Sequence, residues 1–373
     1  MEVRLEVESI PEPLYVGQLL SMRGVYAQVL FHLNIHNRSG AALRLTRLSL
    51  AAERRGQLLE RLTLEEPSLA LRLRAVPWIV VRERQTLAAA HRWRGALGRA
   101  KGNTRLEPGE SVALLGQLSL RRVAEQPEQI LCAVEHSAGR SEHRFAVRTF
   151  EQRTRLRIPV DGKWWVMAGH RFDEDHSGAL ISSQNFAYDL GVLGDGAQTF
   201  SADPRHNASY LANGRPVRAA ADGEVVVVQD GVAENEPVGV RPSWDQLLRR
   251  PYDLAGNFVV LRHDEREHTA YLHLRPGVVV RRGQRVRAGE VLGRCGNSGN
   301  SLETHLHVQL QDGPDVMRAS GLPARFGDFT IHLGHLRLYV PPDRPMPLPG
   351  RLIVEPGRSA GAAEIPKSFE PAW

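Results

Sequence analysis

Residues 278–310 read VVVRRGQRVRAGEVLGRCGNSGNSLETHLHVQL, and this stretch decides the fold. Its first part is a run of short β elements with glycine-bearing turns between them, the pattern of a tight hairpin. Its end, THLHVQL (304–310), predicts a strand. Successive side chains on a strand point to opposite faces, so His305 and His307 share one face while Val308 and Leu310 take the other. Two convergent imidazoles suit zinc chemistry, since one can bind metal while the other positions a water or carries a proton. Taken alone, an HxH pair also fits the polar side of an edge strand.

Upstream, PVRAAADGEVVVVQDG (216–231), NFVVLRH (257–263) and TAYLHL (269–274) are further short strands separated by turn residues. TAYLHL brings a third imidazole, His273, just ahead of the hairpin. QNFAYDLGV (184–192) places a carboxylate, Asp189, in an otherwise apolar strand. A buried carboxylate has to be paired or ligated. A salt bridge would satisfy Asp189 and a core hydrogen bond would satisfy His273, so both readings stay open here. The polar stretch from Ala233 to Gly256, with Trp244 in it, reads as an insertion between strands.

The first 150 residues carry a different β pattern. YAQVLFHLNIHNRSG (26–40), LRLTRLSL (43–50), LEPGESVALLGQLSL (106–120) and ILCAVEHSAGRSEHRFAV (130–147) alternate apolar and polar residues between turn signals. Strands at this spacing suggest a β-sandwich. The one helical expectation lies around Arg82–Leu97. The whole chain is therefore expected to be all-β. A β-sandwich-like accessory domain takes residues 1–153, a β-core domain takes 154–340, and a loosely held proline-rich tail takes 341–373.

Composition removes several alternatives. The 373 residues are 42% hydrophobic and 24% charged, which suits two globular domains. Of the 48 basic residues only Lys101, Lys163 and Lys367 are lysine. The glycine-spaced hairpin would otherwise suit a biotinyl or lipoyl carrier, but no lysine lies between Lys163 and Lys367 to be modified. A Walker or Schiff-base lysine is excluded over the same stretch. The net charge of +6 is small, and acids sit beside bases, as in Glu53-Arg54-Arg55, so a nucleic-acid partner is not expected. Two cysteines, Cys132 and Cys295, give neither a disulfide framework nor a thiolate metal site. The opening MEVRLEVESIPEPLYVG lacks a signal-peptide pattern. No apolar run approaches the roughly 18 residues of a membrane span.

The order of these blocks, from PVRAAADGEVVVV through GNFVVLRH and AYLHL to the hairpin and THLHVQL, resembles the lysostaphin/LytM-type zinc endopeptidases of bacteria over residues 160–312. That resemblance implies a compact antiparallel β core (a duplicated hybrid motif), a Zn2+ cofactor and cleavage of peptide cross-links in peptidoglycan. It assigns zinc ligation to Asp189 and His307. His305 and His273 would flank the water as base and orienting group, in an order left open. Work at the cell envelope or outside the cell is implied too, although no export signal is visible. One position departs: where the family's first motif has HxxxD, this chain has Asn185 four residues before Asp189. Asparagine is a poor zinc ligand beside imidazole. His176 is the expected replacement, with His170 as the other candidate. A catalytically silent relative, kept as a binding or regulatory module, is the competing expectation.

Overall fold

The strand Leu306–Gln311 lies in the middle of the fold, buried on both faces. Leu306, Val308 and Leu310 point into an apolar core shared with Trp164, Tyr188, Val259, Tyr271 and Leu274. The alternate residues His307, Gln309 and Gln311 are equally buried, on the other side. The polar side is thus an interior layer, not the wet side of an edge strand. In the computed structural model, residues 4–10, 13–21, 24–74, 101–120, 126–169, 181–243, 246 and 249–366 are described.

Among the described residues this strand belongs to a twelve-stranded sheet. On one side it pairs antiparallel with Glu267–Leu274, followed by Asn257–Asp264, Gly223–Gln229 and Arg285–Val286. On the other side come Tyr188–Gly191, Trp164–Ala168, Ile353–Pro356, Phe329–Leu333 and Leu336–Val340. Val291–Arg294, from the second half of the glycine-rich hairpin, pairs instead with Pro216–Arg218 in a separate two-stranded ladder. The Ala233–Gly256 segment does connect two neighbouring strands, and Glu234 bridges to Ser298 just ahead of the histidine strand.

Among the described residues, strands between Leu5 and Thr149 form a second, nine-stranded sheet with its own core, in which Phe31, Leu33 and Ile35 meet Leu48, Leu50, Ile130 and Val134. The chain is therefore all-β. The expected helix around Arg82–Leu97 lies outside the described residues, as does Trp244. Both sheets are mixed rather than purely antiparallel, because Leu14–Val16 runs parallel to Val147–Thr149 and Leu338–Tyr339 parallel to Ala363–Glu364. The two sheets touch closely. Tyr15 is buried in the core of the larger sheet and meets Phe150 edge-on at 5.7 Å between ring centroids. Buried Glu267 accepts the backbone N–H groups of Arg153 and Thr154, both at 2.7 Å, and so pins the connecting segment.

Between Met346 and Ile365 the expected loose tail is corrected. Ile353–Pro356 is inserted between Trp164–Ala168 and Phe329–Leu333, and Met346, Leu348, Val354 and Ile365 are buried in the main core. Proline content misled because the apolar residues spaced among the prolines find a sheet to cover. The Leu348 N–H also donates to the Tyr188 hydroxyl at 3.3 Å, so the chain end braces the residue beside Asp189. Leu348→Ala is expected to cost about 2–5 kcal/mol, the usual range for a buried leucine. Chemical denaturation checks this, and an unchanged midpoint would restore the loose tail.

A histidine and aspartate site on three adjacent strands

Three neighbouring strands supply the site. Asp189 on Tyr188–Gly191 is the register partner of His307, and His307 is in turn the partner of Leu272. Asp189, His307 and Leu272 therefore lie side by side on one face. His305 precedes the same strand and is held by a bridge to Gly296.

His273 reaches this face by a different device. Strict alternation would send it with Tyr271 into the main core. Between the pairs Asn257↔Leu274 and Val259↔Tyr271 only Phe258 faces the two residues Leu272 and His273, so the strand is bulged there. His273 has φ of 62°, a left-handed conformation that costs a side-chain-bearing residue of order 1 kcal/mol or more. The bulge keeps Tyr271 and Leu274 in the core and turns His273 towards the other imidazoles. Its ring centroid lies 5.0 Å from that of His305 and 5.7 Å from that of His307.

At the centre, Asp189 Oδ1 is 3.1 Å from His307 Nδ1 and 3.4 Å from His305 Nε2. The His307 side chain is 1% exposed and that of Asp189 16%, so the carboxylate forms the open edge of the cluster. The outer ring nitrogens are tied back: His273 Nδ1 to the Ser298 carbonyl, His305 Nδ1 to the Glu303 carbonyl and His307 Nε2 to Gln309 Oε1, each at 2.8 Å. Burial, followed by the neighbouring His305 and His307, holds His273 well below the ordinary histidine value. Burial also pulls His305 down, but the Asp189 carboxylate and the Glu303 groups outweigh it and leave His305 raised.

The donor chemistry suits a zinc ion. Adjacent donors on a tetrahedral shell with bonds of about 2.0–2.1 Å lie roughly 3.3 Å apart, close to the 3.1 Å between Asp189 Oδ1 and His307 Nδ1. Among the described residues no group of three or more His, Cys, Asp or Glu closes around a metal. His176 and His170 lie outside the described residues. Asn185, at the departed motif position, is buried and turned towards the other sheet: its Oδ1 is 3.0 Å from His32 Nε2. His32 is wholly enclosed, and burial pushes it down to about 4, so it stays neutral at ordinary pH. Next to Asn185, Phe186 lies so close to Gly17 that a Cβ there would be 2.4 Å from its ring.

The structure brings Asp189, His273, His305 and His307 together on one side of the sheet. Sequence reasoning missed Gln309 and Gln311, although the same alternation that pairs His305 with His307 puts both glutamines on that face. It also missed His32, whose only signal was a polar residue inside an apolar strand.

Residues 208–318 match Peptidase family M23, so the chain carries a peptidase M23 domain, the class to which its resemblance to lysostaphin and LytM-type peptidases points. The match includes His273, His305 and His307; Asp189 lies ahead of it and owes its place to strand register. Over 164 residues, 43% of this chain and 27% of the relative, it is 30% identical to peptidoglycan DD-endopeptidase ShyA of Vibrio cholerae. Over 227 residues, 57% of this chain and 42% of the relative, it is 34% identical to an uncharacterized metalloprotease of Haemophilus influenzae. The chain thus spans less than half the length of either. A solved structure of a zinc-containing peptidase from Vibrio cholerae aligns with 86% of this chain and 85% of its own at 15% identity, with a TM-score of 0.29.

Gly299 tests how the site is supported. At φ of 77°, a Cβ there would lie 2.4 Å from the Gly256 nitrogen and 2.7 Å from the carbonyls of Asp253 and Leu254. The preceding residue, Ser298, holds His273 through its carbonyl. Gly299→Ala is expected to lower stability by about 1–3 kcal/mol, the cost of a strained backbone position. Differential scanning calorimetry reads this, and an unchanged melting temperature would show that the close approach carries no weight.

Proposed function

We propose that this protein is a zinc-dependent endopeptidase that hydrolyses peptide cross-links of bacterial peptidoglycan. The observation that carries the reading is the convergence of Asp189, His305 and His307, with His273 beside them, in one buried layer, the three histidines within the M23 match. Asp189 Oδ1 and His307 Nδ1 would hold the metal, with His176 as the third protein ligand. Zinc at this place supplies a Lewis acid for amide hydrolysis, able to polarise a carbonyl and lower the pKa of water towards about 7. His305 and His273 would share the remaining work. One takes the proton from the attacking water, and the other orients that water or donates to the developing oxyanion. Their outer nitrogens are fixed by backbone carbonyls, which holds both rings in place as charge develops.

The named activity of ShyA supports a peptidoglycan substrate and hence work at the cell envelope. No helix among the described residues is long and apolar enough to cross a membrane. Residues 1–153 are read as an accessory domain and 154–340 as the peptidase domain. Tyr15 and the His32–Asn185 contact support a positioning role for the first. A silent binding or regulatory module at the cell wall is the second reading, supported by Asn185, and the four convergent site residues weigh against it.

Purified protein is expected to hold one equivalent of zinc, and Asp189→Ala to lose it. Chelation should abolish release of cross-linked peptide fragments from purified peptidoglycan, read by mass spectrometry, and added zinc should restore it. A zinc-free unmutated protein would sink the enzyme reading. Zinc retained without any cleavage would favour the silent module.

A further inference from the structure

The sheet face that carries the imidazole cluster holds a cleft at its other end. His268 lies on the same strand as His273, Glu267–Leu274, and precedes it by about 16 Å of chain. Ala270 and Leu272 lie between them and are buried with Phe258, Val260, Val316 and Met317 in one apolar cluster. Beyond that cluster the cleft has a volume of about 960 Å³. Val226, Val227 and Pro314 form its apolar lining, and Val227 and Pro314 also line an adjoining cavity of about 390 Å³ that reaches Tyr252 and Phe258. Apolar surface therefore leads out of the cleft over the sheet.

The polar lining includes one group left unanswered, His268. The residue is 3% exposed, and its Nδ1 is sealed from solvent without a hydrogen-bond partner. Nε2 is then the ring nitrogen that the cleft reaches. Burial, followed by His263 and Arg262, pushes His268 down to about 4 against the pull of Asp264, so the ring is neutral and carries one N–H. A sealed N–H without an acceptor is costlier than a bare lone pair, which puts the proton on Nε2, facing the cleft.

The charges in the lining sort into paired and open ones. Arg262 is paired with Glu224 at 2.7 Å, and Asp264 with Arg153 at 3.5 Å. Arg282 is exposed and enters no hydrogen bond or ion pair among the described residues. Asp312 accepts only a backbone N–H, that of Ser320 at 2.7 Å, and keeps its charge. Glu265 is exposed in the turn before the His268 strand. A cation, a carboxylate and a free N–H beside apolar walls suit a ligand that carries both signs and an apolar stem.

We propose that this cleft binds a zwitterionic amino-acid ligand, either a free apolar α-amino acid or a short peptide with both ends free. Its carboxylate is taken by His268 Nε2–H and Arg282, its ammonium by Asp312, and its side chain lies along Val226, Val227 and Pro314. The site is separate from the imidazole cluster and needs no metal.

Isothermal titration calorimetry of the full-length protein with alanyl-valine tests this. Alanyl-valine should bind. N-acetyl-alanyl-valine, which lacks the ammonium, and alanyl-valinamide, which lacks the carboxylate, should each bind about tenfold more weakly or worse. Arg282→Gln, at an exposed position, and His268→Gln should each weaken alanyl-valine by a similar factor, with circular dichroism confirming that both variants fold. Asp189→Ala should leave the affinity unchanged. Free valine separates the two sources: equal affinity assigns the cleft to free amino acids, and weaker affinity to peptides. Absence of binding, blocked forms that bind equally well, unchanged affinity in folded Arg282→Gln, or loss of binding in Asp189→Ala would each overturn the proposal.

Discussion

The antiparallel pairing that sets Asp189 opposite His307 is the constraint on which the site depends. A sheet alternates its faces with period 2, so a slip of one residue in that pairing would send Asp189 into the core and leave His307 without a carboxylate. The register is held from both sides. Leu306, Val308 and Leu310 must stay with Tyr188, Tyr271 and Trp164 in the apolar layer, and the Tyr188 hydroxyl is fastened to Ala324 and Leu348. Burial of the hydrophobic side thus fixes the polar side.

Much of this was legible in the sequence. Period 2 in THLHVQL gives the strand and the shared face of His305 and His307, and the resemblance to lysostaphin/LytM-type peptidases brings in Asp189 and His273. Three things were not legible, for separate physical reasons. The bulge that redirects His273 depends on the count of residues in a partner strand, so alternation alone puts that ring on the wrong face. The C-terminal residues look loose by their prolines, yet their strand is defined by a gap in a sheet formed by distant segments. The contact of Gln309 with His307 was within reach of the same alternation, but Gly313, whose carbonyl accepts from Gln311, carries no side-chain signal.

The departed motif position gains a structural meaning. Asn185 does not turn its oxygen to the imidazole cluster; it gives it to His32 of the other sheet, whose burial keeps that imidazole uncharged. With Phe186 packed on Gly17, the turn leading to Asp189 is held by the N-terminal sheet. The site is therefore supported from outside the M23 domain at the point where its first motif differs.

The most direct test of the account is a zinc-edge anomalous diffraction measurement on crystals of the metal-loaded protein. The expected result is a single strong peak at the cluster, within about 2.0–2.2 Å of both Asp189 Oδ1 and His307 Nδ1. A peak elsewhere, or none in a fully folded protein, would contradict it.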